Sequence, residues 1–230
     1  MNKNPTPEQY PQPQQPRPIQ VAMSNVKPYV TYALLGVTVF IYLIQLAGLY
    51  LLKTDVVALI GVKDDTLISA GQLWRLITPV FLHNSDLSEF LMAFPIGILV
   101  NPIVYIAFNM RALFIYGRGI ESRFGHVRFL LLYLLSGFAG NVLSFLLTPY
   151  MSMGASTAIF GLIAAEGVFI IQNRKLLGNH VNRSLMNLLF FAAINLLFGF
   201  LLWGVDNYGH LGGLLGGLLF TWFGGPRRKL

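Results

Sequence analysis

Long apolar stretches without charged residues alternate with short polar segments along most of the chain. A helix needs about 20 apolar residues to cross a hydrocarbon core of roughly 30 Å. Six stretches approach or exceed this length: Tyr29–Leu52, a segment from Pro102 to Gly117, Phe129–Tyr150, Met151–Gln172, Ser184–Val205 and Asn207–Gly225. Proline suits the first turn of a helix, so the second of these helices is expected to begin near Pro102. The pattern predicts six membrane helices and an all-α fold.

The composition agrees with a membrane protein. Hydrophobic residues make up 55% of the 230 positions and charged residues only 11%, whereas a soluble domain has about 25% charged residues. The mean hydropathy is +0.62. Residues 1–28 are rich in Pro and Gln without an apolar run, which predicts a disordered cytoplasmic tail. A membrane domain is then expected over residues 29–225, followed by a basic cytoplasmic tail over 226–230.

The distribution of Lys and Arg predicts the orientation. Six helices place both termini on one side, and that side carries twelve basic residues: Lys3, Arg17, Lys27, Arg118, Arg123, Arg128, Arg174, Lys175, Arg183, Arg227, Arg228 and Lys229. The opposite side carries only Lys53, Lys63 and Arg75. Basic residues concentrate on the cytoplasmic side of membrane proteins, so both termini are expected in the cytoplasm, with the cell membrane as the location. The same asymmetry accounts for the net charge of +7, and no nucleic-acid partner is predicted.

A long outer connection over residues 53–101 separates the first two predicted helices. It contains the stretch GQLWRLITPVFLH, residues 71–83, whose apolar spacing is typical of a short helix lying in the membrane interface. One interpretation is an anchor, with Trp74 at headgroup depth and Arg75 extended toward water. The other is a role in shaping a site, since loops of this length are usually functional. The two interpretations are compatible.

Polar side chains inside the predicted spans are the candidates for chemistry, because their burial in lipid is costly. They are Asn109, Arg111, Ser156, Glu166 and His210. Ser156 and His210 both lie near the outer start of their helices, and glycines spaced by four after His210 allow close approach of another helix. A serine can also simply pack between helices. The chain has no cysteine, no HExxH motif and no ligand spacing among its four histidines, so no metal and no cofactor are predicted.

Four blocks in this order carry a family resemblance: GQLWRLITPVFLH (71–83), GRGIESRFGHVRFLLLYLLSG (117–137), GASTAIFG (154–161) and DNYGHLGG (206–213). The third resembles the GxSx motif of the rhomboid intramembrane serine proteases. The fourth resembles the His-bearing last helix of that family, and the first two resemble its outer loop and its Glu-containing turn. The resemblance implies a six-helix bundle with a water-filled cavity open to the outer face. It also implies an activity, the cleavage of transmembrane protein substrates within the bilayer, near their outer ends.

The resemblance also assigns roles to residues. Ser156 would be the nucleophile and His210 the general base of a catalytic dyad, with the aromatic ring of Phe160 stacked on the histidine. Asn109 matches the asparagine that binds the oxyanion together with the backbone amide of Ser156. Gly154 belongs to the same site, because a side chain there would obstruct the approaching substrate backbone.

Two departures from the family favour an alternative. The family usually has a histidine four residues before the asparagine, where this chain has Tyr105. Tyr105 shares a helix face with Asn109 and could assist at the oxyanion, or it could be an aromatic at the membrane interface. Residues 85–101 also form an insert relative to the usual spacing. The alternative function is a rhomboid-like protein, weakly active or inactive, that binds transmembrane helices.

Other charged residues in these blocks have structural explanations. Asp206 is expected to cap the last helix. The alternative is that Asp206 contacts the imidazole of His210 as the third member of a catalytic triad. Glu121 is expected to make a structural hydrogen bond. Arg111 and Glu166 are expected either to pair near the cytoplasmic side or to extend from helix ends toward water.

Overall fold

A computed structural model describes residues 26–86, 101–178, 180–201 and 205–225. These residues form an all-helical bundle whose long helices are apolar, as the sequence predicts. In chain order the helices are α1 (Tyr29–Leu52), α2 (Val56–Gly61), α3 (Asp65–Ser69), α4 (Pro102–Ala112), α5 (Arg118–Phe124), α6 (His126–Leu147), α7 (Ser156–Gln172), α8 (Arg174–Leu177), α9 (His180–Leu201) and α10 (Asn207–Gly224). The predicted tails lie outside the described residues except for positions 26–28, and so does most of the insert, residues 87–100.

The predicted apolar stretches all contain helix, with some boundaries shifted. Helix α4 begins at Pro102, as expected, where the Asn101 side chain caps the first turn. Helix α7 begins at Ser156 instead of Met151, because residues 148–155 form an irregular connection. Three helices in the described residues are long and apolar enough to cross a membrane: Tyr29–Leu52, His126–Leu147 and Val181–Leu201. Six spans remain a prediction.

Helix α10 packs closely against α6 and α7, and glycines make this approach possible. A Cβ on Gly213 would overlap the carbonyl of Thr157, and a Cβ on Gly217 would overlap the backbone of Gly161. The glycine spacing in the sequence therefore marks the face of α10 that meets α7. This contact brings the first turns of the two helices side by side.

Glu121 lies beside the start of α1, at the end of the bundle opposite to the first turns of α7 and α10. Its buried carboxylate accepts hydrogen bonds from the backbone N–H groups of Val30, at 2.8 Å, and Thr31, at 2.7 Å, and from the Thr31 hydroxyl at 2.6 Å. Its Oε1 also lies 2.6 Å from Nδ1 of His126. The carboxylate satisfies the free N–H groups at the start of α1, in agreement with the expected structural hydrogen bond.

The expected pairing of Arg111 with Glu166 is wrong. Glu166 pairs with Arg123, and Arg111 is exposed. A π-helical turn, Leu113–Gly117, joins α4 to α5 and changes the rotational phase between the two helices. Arg123 faces α7, where its guanidinium also lies 4.2 Å from the ring centre of Phe169.

The outer loop is folded as a compact unit of short helices and turns, including two 3-10 turns at Leu73–Leu76 and Thr78–Phe81. Arg75 is buried, so the expectation that its side chain extends toward water is wrong. Its guanidinium donates to the carbonyls of Val62, at 2.8 Å, and Leu59, at 2.6 Å. The end of α2 leaves carbonyls without helical partners, and Arg75 satisfies them.

Candidate active site

Ser156 and His210 come together at the starts of α7 and α10. The imidazole Nε2 of His210 lies 2.9 Å from the hydroxyl oxygen of Ser156. His210 is buried, and Ser156 is partly exposed. The two residues are 54 positions apart in the chain, and the glycine contact between the helices sets their distance. Hydroxyl and imidazole thus form the hydrogen bond that activates a serine nucleophile in principle.

Phe160 lies one helical turn after Ser156 and covers the imidazole. The rings of Phe160 and His210 are stacked, with centroids 4.3 Å apart and an interplanar angle of 8°. Phe160 is itself buried. The stack restricts rotation of the imidazole and keeps its Nε2 directed at the serine hydroxyl.

Asp206 caps α10 and does not extend the pair to a triad. Its Oδ1 accepts the N–H of Gly209 at 2.8 Å, and its Oδ2 accepts the hydroxyl of Ser144. The other imidazole nitrogen of His210, Nδ1, has no hydrogen-bond partner among the described residues. The geometry is that of a helix cap beside a two-residue pair.

Gly154 precedes the serine in a conformation that favours glycine, with φ +144°. Its N–H donates to the carbonyl of Pro79 in the outer loop at 2.9 Å. A Cβ at this position would lie 3.2 Å from the Tyr105 hydroxyl and 3.5 Å from the Ser156 hydroxyl. The absence of a side chain keeps the space above the serine open.

Tyr105 and Asn109 reach the same place from α4. The Tyr105 hydroxyl lies 3.3 Å from Ser156 Oγ. Asn109 is buried, and its Nδ2 donates to the backbone carbonyl of Tyr105 at 2.9 Å. At the start of α7 the first intrahelical bond joins Ile159 N–H to the Ala155 carbonyl, so the N–H of Ser156 is among the donors that a helix start leaves free.

These groups border one cavity of about 200 Å³ between α4, α7, α9 and α10. Its wall contains Ser156, His210, Asn109 and Tyr105, together with aromatic and aliphatic side chains. All six residues assigned from the sequence to the site, including Phe160 and Gly154, therefore lie within or directly beside it. Such a mostly apolar cavity with a few converging polar groups is the usual form of a ligand site.

Sequence reasoning missed two features of this region. Phe108 on α4 and Phe191 on α9 both line the cavity, and their rings stack on each other with centroids 5.7 Å apart. His83 in the outer loop is buried with its ring 6.1 Å from that of Tyr105, and burial lowers the pKa of His83 to about 4. Aromatic residues occur on all the long helices described, so spacing alone did not distinguish Phe108 and Phe191 from lipid-facing ones.

Comparison with known proteins agrees with this architecture. The rhomboid domain model matches residues 99–227. The chain is 36% identical over 193 residues to "Rhomboid protease GluP" of Bacillus subtilis (strain 168), covering 84% of this chain and 34% of that protein. It is 36% identical over 151 residues to "RHOMBOID-like protein 6, mitochondrial" of Arabidopsis thaliana, covering 65% of this chain and 43% of that protein. "Putative rhomboid protease YdcA" of Bacillus subtilis is 31% identical over 156 residues, which cover 67% of this chain and 68% of the relative.

The chain therefore belongs to the rhomboid family, and it is an integral membrane protein. It spans about a third of the length of the GluP protein and less than half of the mitochondrial relative. Relatives named as proteases and relatives named only as rhomboid-like both occur among its matches.

Proposed function

We propose that the protein is an intramembrane serine endopeptidase with Ser156 as nucleophile and His210 as general base. The observation that carries this proposal is the distance of 2.9 Å between His210 Nε2 and Ser156 Oγ at the wall of a cavity inside a membrane bundle. A serine hydroxyl attacks a peptide carbonyl only when a base takes its proton. In the described residues, His210 Nε2 is the ring nitrogen in hydrogen-bond contact with Ser156.

The reaction follows from these two positions. Ser156 Oγ bonds to the carbonyl carbon of the substrate while its proton passes to His210 Nε2. The imidazolium then protonates the leaving amine as the peptide C–N bond breaks. Water attacks the resulting ester while the imidazole again takes a proton. The ester bond to Oγ then breaks, the imidazolium returns the proton to Oγ, and the acid product leaves. Phe160 keeps the imidazole plane fixed through these proton transfers.

The negative oxygen of the tetrahedral intermediate needs hydrogen-bond donors. Three donors are candidates: the backbone N–H of Ser156, the Tyr105 hydroxyl, which lies 3.3 Å from Ser156 Oγ, and the side-chain amide of Asn109, which lines the same cavity. Asn109 Nδ2 has one N–H engaged with the Tyr105 carbonyl, and an amide nitrogen carries two. Gly154 lets the substrate backbone approach these donors because it has no side chain.

The substrates are transmembrane proteins whose helices unwind near their outer ends. The cavity lies beside the contact of α4 with α9, where Phe108 and Phe191 stack. A substrate helix entering from the bilayer passes between these helices before its backbone meets Ser156. The basic residues support an orientation with both termini in the cytoplasm, and the cell membrane is the proposed location. The reaction as proposed requires no cofactor.

The second candidate is a rhomboid-like protein that binds transmembrane helices without cleaving them. Tyr105 favours it, because a phenol stands 3.3 Å from Ser156 Oγ at the position where the family usually has histidine. The retained pair of Ser156 and His210 favours the protease.

A serine-reactive fluorophosphonate probe separates the two candidates. Purified protein in detergent should be labelled at one site, and Ser156→Ala should abolish labelling and cleavage of a transmembrane substrate together. Ser152→Ala is the matched control, because Ser152 lies in the same connection and makes its bridge to the outer loop through backbone atoms only. Equal labelling of the Ser156→Ala protein would reject Ser156 as the nucleophile, and a lack of labelling in the wild type would reject the protease.

A further inference from the structure

Lys63 lies in the outer loop, yet its side chain is completely buried. Its ammonium nitrogen donates to the carbonyls of Thr148, at 2.6 Å, and Tyr150, at 3.0 Å. It also lies 2.7 Å from Oδ1 of Asp65. An ammonium has three N–H donors, and three acceptors surround this one. Such complete pairing is what makes the burial of a charge tolerable.

The two carbonyls belong to the connection that leads into the candidate nucleophile. Thr148 is the residue that follows the last turn of α6, and the chain then runs through residues 148–155 without regular structure to Ser156. Carbonyls at a helix end and in an irregular segment have no ladder partners of their own. Lys63 supplies the donors that hold this segment in place.

Backbone bonds extend the same contact toward Ser156. Lys63 and Ser152 exchange both N–H···O bonds, at 3.1 and 3.2 Å. Two residues further, the N–H of Gly154 donates to the carbonyl of Pro79. The outer loop thus contacts the connection at Ser152 and at Gly154, which lies two residues before Ser156.

We propose that Lys63 is a positioning residue for the active site. By docking the outer loop on residues 148–154, it fixes Gly154 and the start of α7 relative to His210. Asp65 balances the charge of the ammonium, while the carbonyl contacts do the positioning. Lys63 touches neither Ser156 nor the cavity, so it acts through the backbone of the connection.

The consequence for catalysis rests on the proposed protease function. A displacement of about 1 Å at reacting groups can cost up to 10²-fold in rate. Loss of the Lys63 ammonium should therefore lower kcat while leaving KM nearly unchanged, because the cavity that binds the substrate lies between α4, α7, α9 and α10 and not against the outer loop. Replacement of a residue that only stabilises the fold would lower the melting temperature without lowering kcat selectively over KM.

The test replaces the ammonium and measures both turnover and local hydrogen exchange. Lys63→Met keeps the length and apolar stem of the side chain and removes the three donors. We expect a fall in kcat of about 10-fold, with KM within about twofold of wild type, at a temperature well below unfolding. The peptide covering residues 149–155 should exchange its amide hydrogens about 5- to 10-fold faster, because loss of the two carbonyl contacts makes local opening of this segment easier. Peptides from α6 and α10 should exchange as in wild type.

Three variants complete the design. Lys53→Met removes an exposed lysine from the same loop and should leave turnover and exchange unchanged. Asp65→Asn removes the carboxylate charge but keeps the carbonyl contacts, and it should have a smaller effect than Lys63→Met. Lys63→Leu also lacks any donor and provides a second neutral variant if the methionine variant does not fold.

Wild-type kcat in a folded neutral variant would overturn the proposal. So would unchanged exchange in residues 149–155, even with reduced turnover, because docking of the connection would then be independent of the ammonium. An effect of Asp65→Asn as large as that of Lys63→Met would assign the role to the ion pair and overturn it also. If the wild type fails to react with the fluorophosphonate probe, the protease function fails, and the exchange data still decide whether Lys63 docks the connection.

Discussion

The hydroxyl of Tyr105 lies 3.3 Å from the hydroxyl of Ser156, so the serine oxygen has a phenol beside it as well as the imidazole of His210. Tyr105 comes from α4 and His210 from α10. While the serine is at rest, the phenol and the serine share one hydrogen bond. In the proposed mechanism, the phenol becomes free to donate to the adjacent negative oxygen, or to orient the amide of Asn109, once Ser156 Oγ is bonded to the substrate.

Tyr105→Phe tests that role, because it keeps the ring and its packing and removes one donor. We expect turnover to fall about 10-fold, less than the 10²–10³-fold expected for a primary oxyanion donor, which is our prediction for Asn109→Ala. Steady-state cleavage of a transmembrane substrate measures both. Tyr105→His, which introduces the residue usual in the family, should retain more activity than Tyr105→Phe. Turnover of Tyr105→Phe near wild type with Asn109→Ala impaired would make Tyr105 a membrane-interface aromatic.

His210 and Asp206 are predicted to differ sharply in their effects. His210→Ala should lower kcat about 10²–10⁴-fold through loss of the general base, with the fold retained. Asp206→Asn should change kcat by no more than about threefold, since asparagine caps helices about as well as aspartate. Thermal unfolding in detergent serves as the folding control for both. A loss from Asp206→Asn equal to that from His210→Ala would mean that the aspartate acts with the imidazole.

Part of this site could be predicted from the sequence because its parts are local. Ser156 with Gly154, and His210 with the glycines that follow it, mark two helix starts by motif and spacing. The partner of the glycine face could not be predicted, because spacing defines a face of α10 and leaves its neighbour open. Contact between Gly213 and Thr157 identifies that neighbour as α7.

Other relationships depend on geometry that the sequence pattern does not contain. Both Arg111 and Arg123 are candidates in the sequence to pair with Glu166, and a π-helical turn, which hydropathy does not predict, lies between them. The contacts of Lys63 with Thr148 and Tyr150 join residues 85 and 87 positions apart in two irregular segments. Such segments carry no periodicity from which a contact could be inferred.

Gly154→Ala should abolish most activity. The backbone there has φ +144°, and the new Cβ would lie 3.2 Å from the Tyr105 hydroxyl. Relief of that contact moves either Tyr105 or the connection that carries Ser156, and we expect a loss of about 10²-fold in kcat.

Gly167→Ala on α7 is the matched control for Gly154→Ala. A Cβ at Gly167 meets nothing within 4 Å, and alanine stabilises a helix interior by up to about 1 kcal/mol relative to glycine. It should keep wild-type activity with an equal or higher melting temperature. Full activity of Gly154→Ala would show that the space above Ser156 is not needed by the substrate.

Phe191→Ala tests entry of substrate between α4 and α9. Its ring stacks on Phe108 with an interplanar angle of 9°, and such a pair contributes about 0.5–1.5 kcal/mol. If the two helices must separate to admit a substrate helix, removal of the stack should raise the rate on a full transmembrane substrate by up to about 10-fold. A short soluble peptide that enters from the outer face does not require α4 and α9 to separate, so its rate should change by less than about twofold. Phe190→Ala is the control, because Phe190 is the adjacent residue and is 68% exposed on the outside of the bundle. Equal acceleration of both substrates would point to a general loosening of the site, and a slower rate on the transmembrane substrate would mean that Phe191 helps to bind the substrate and does not bar its entry.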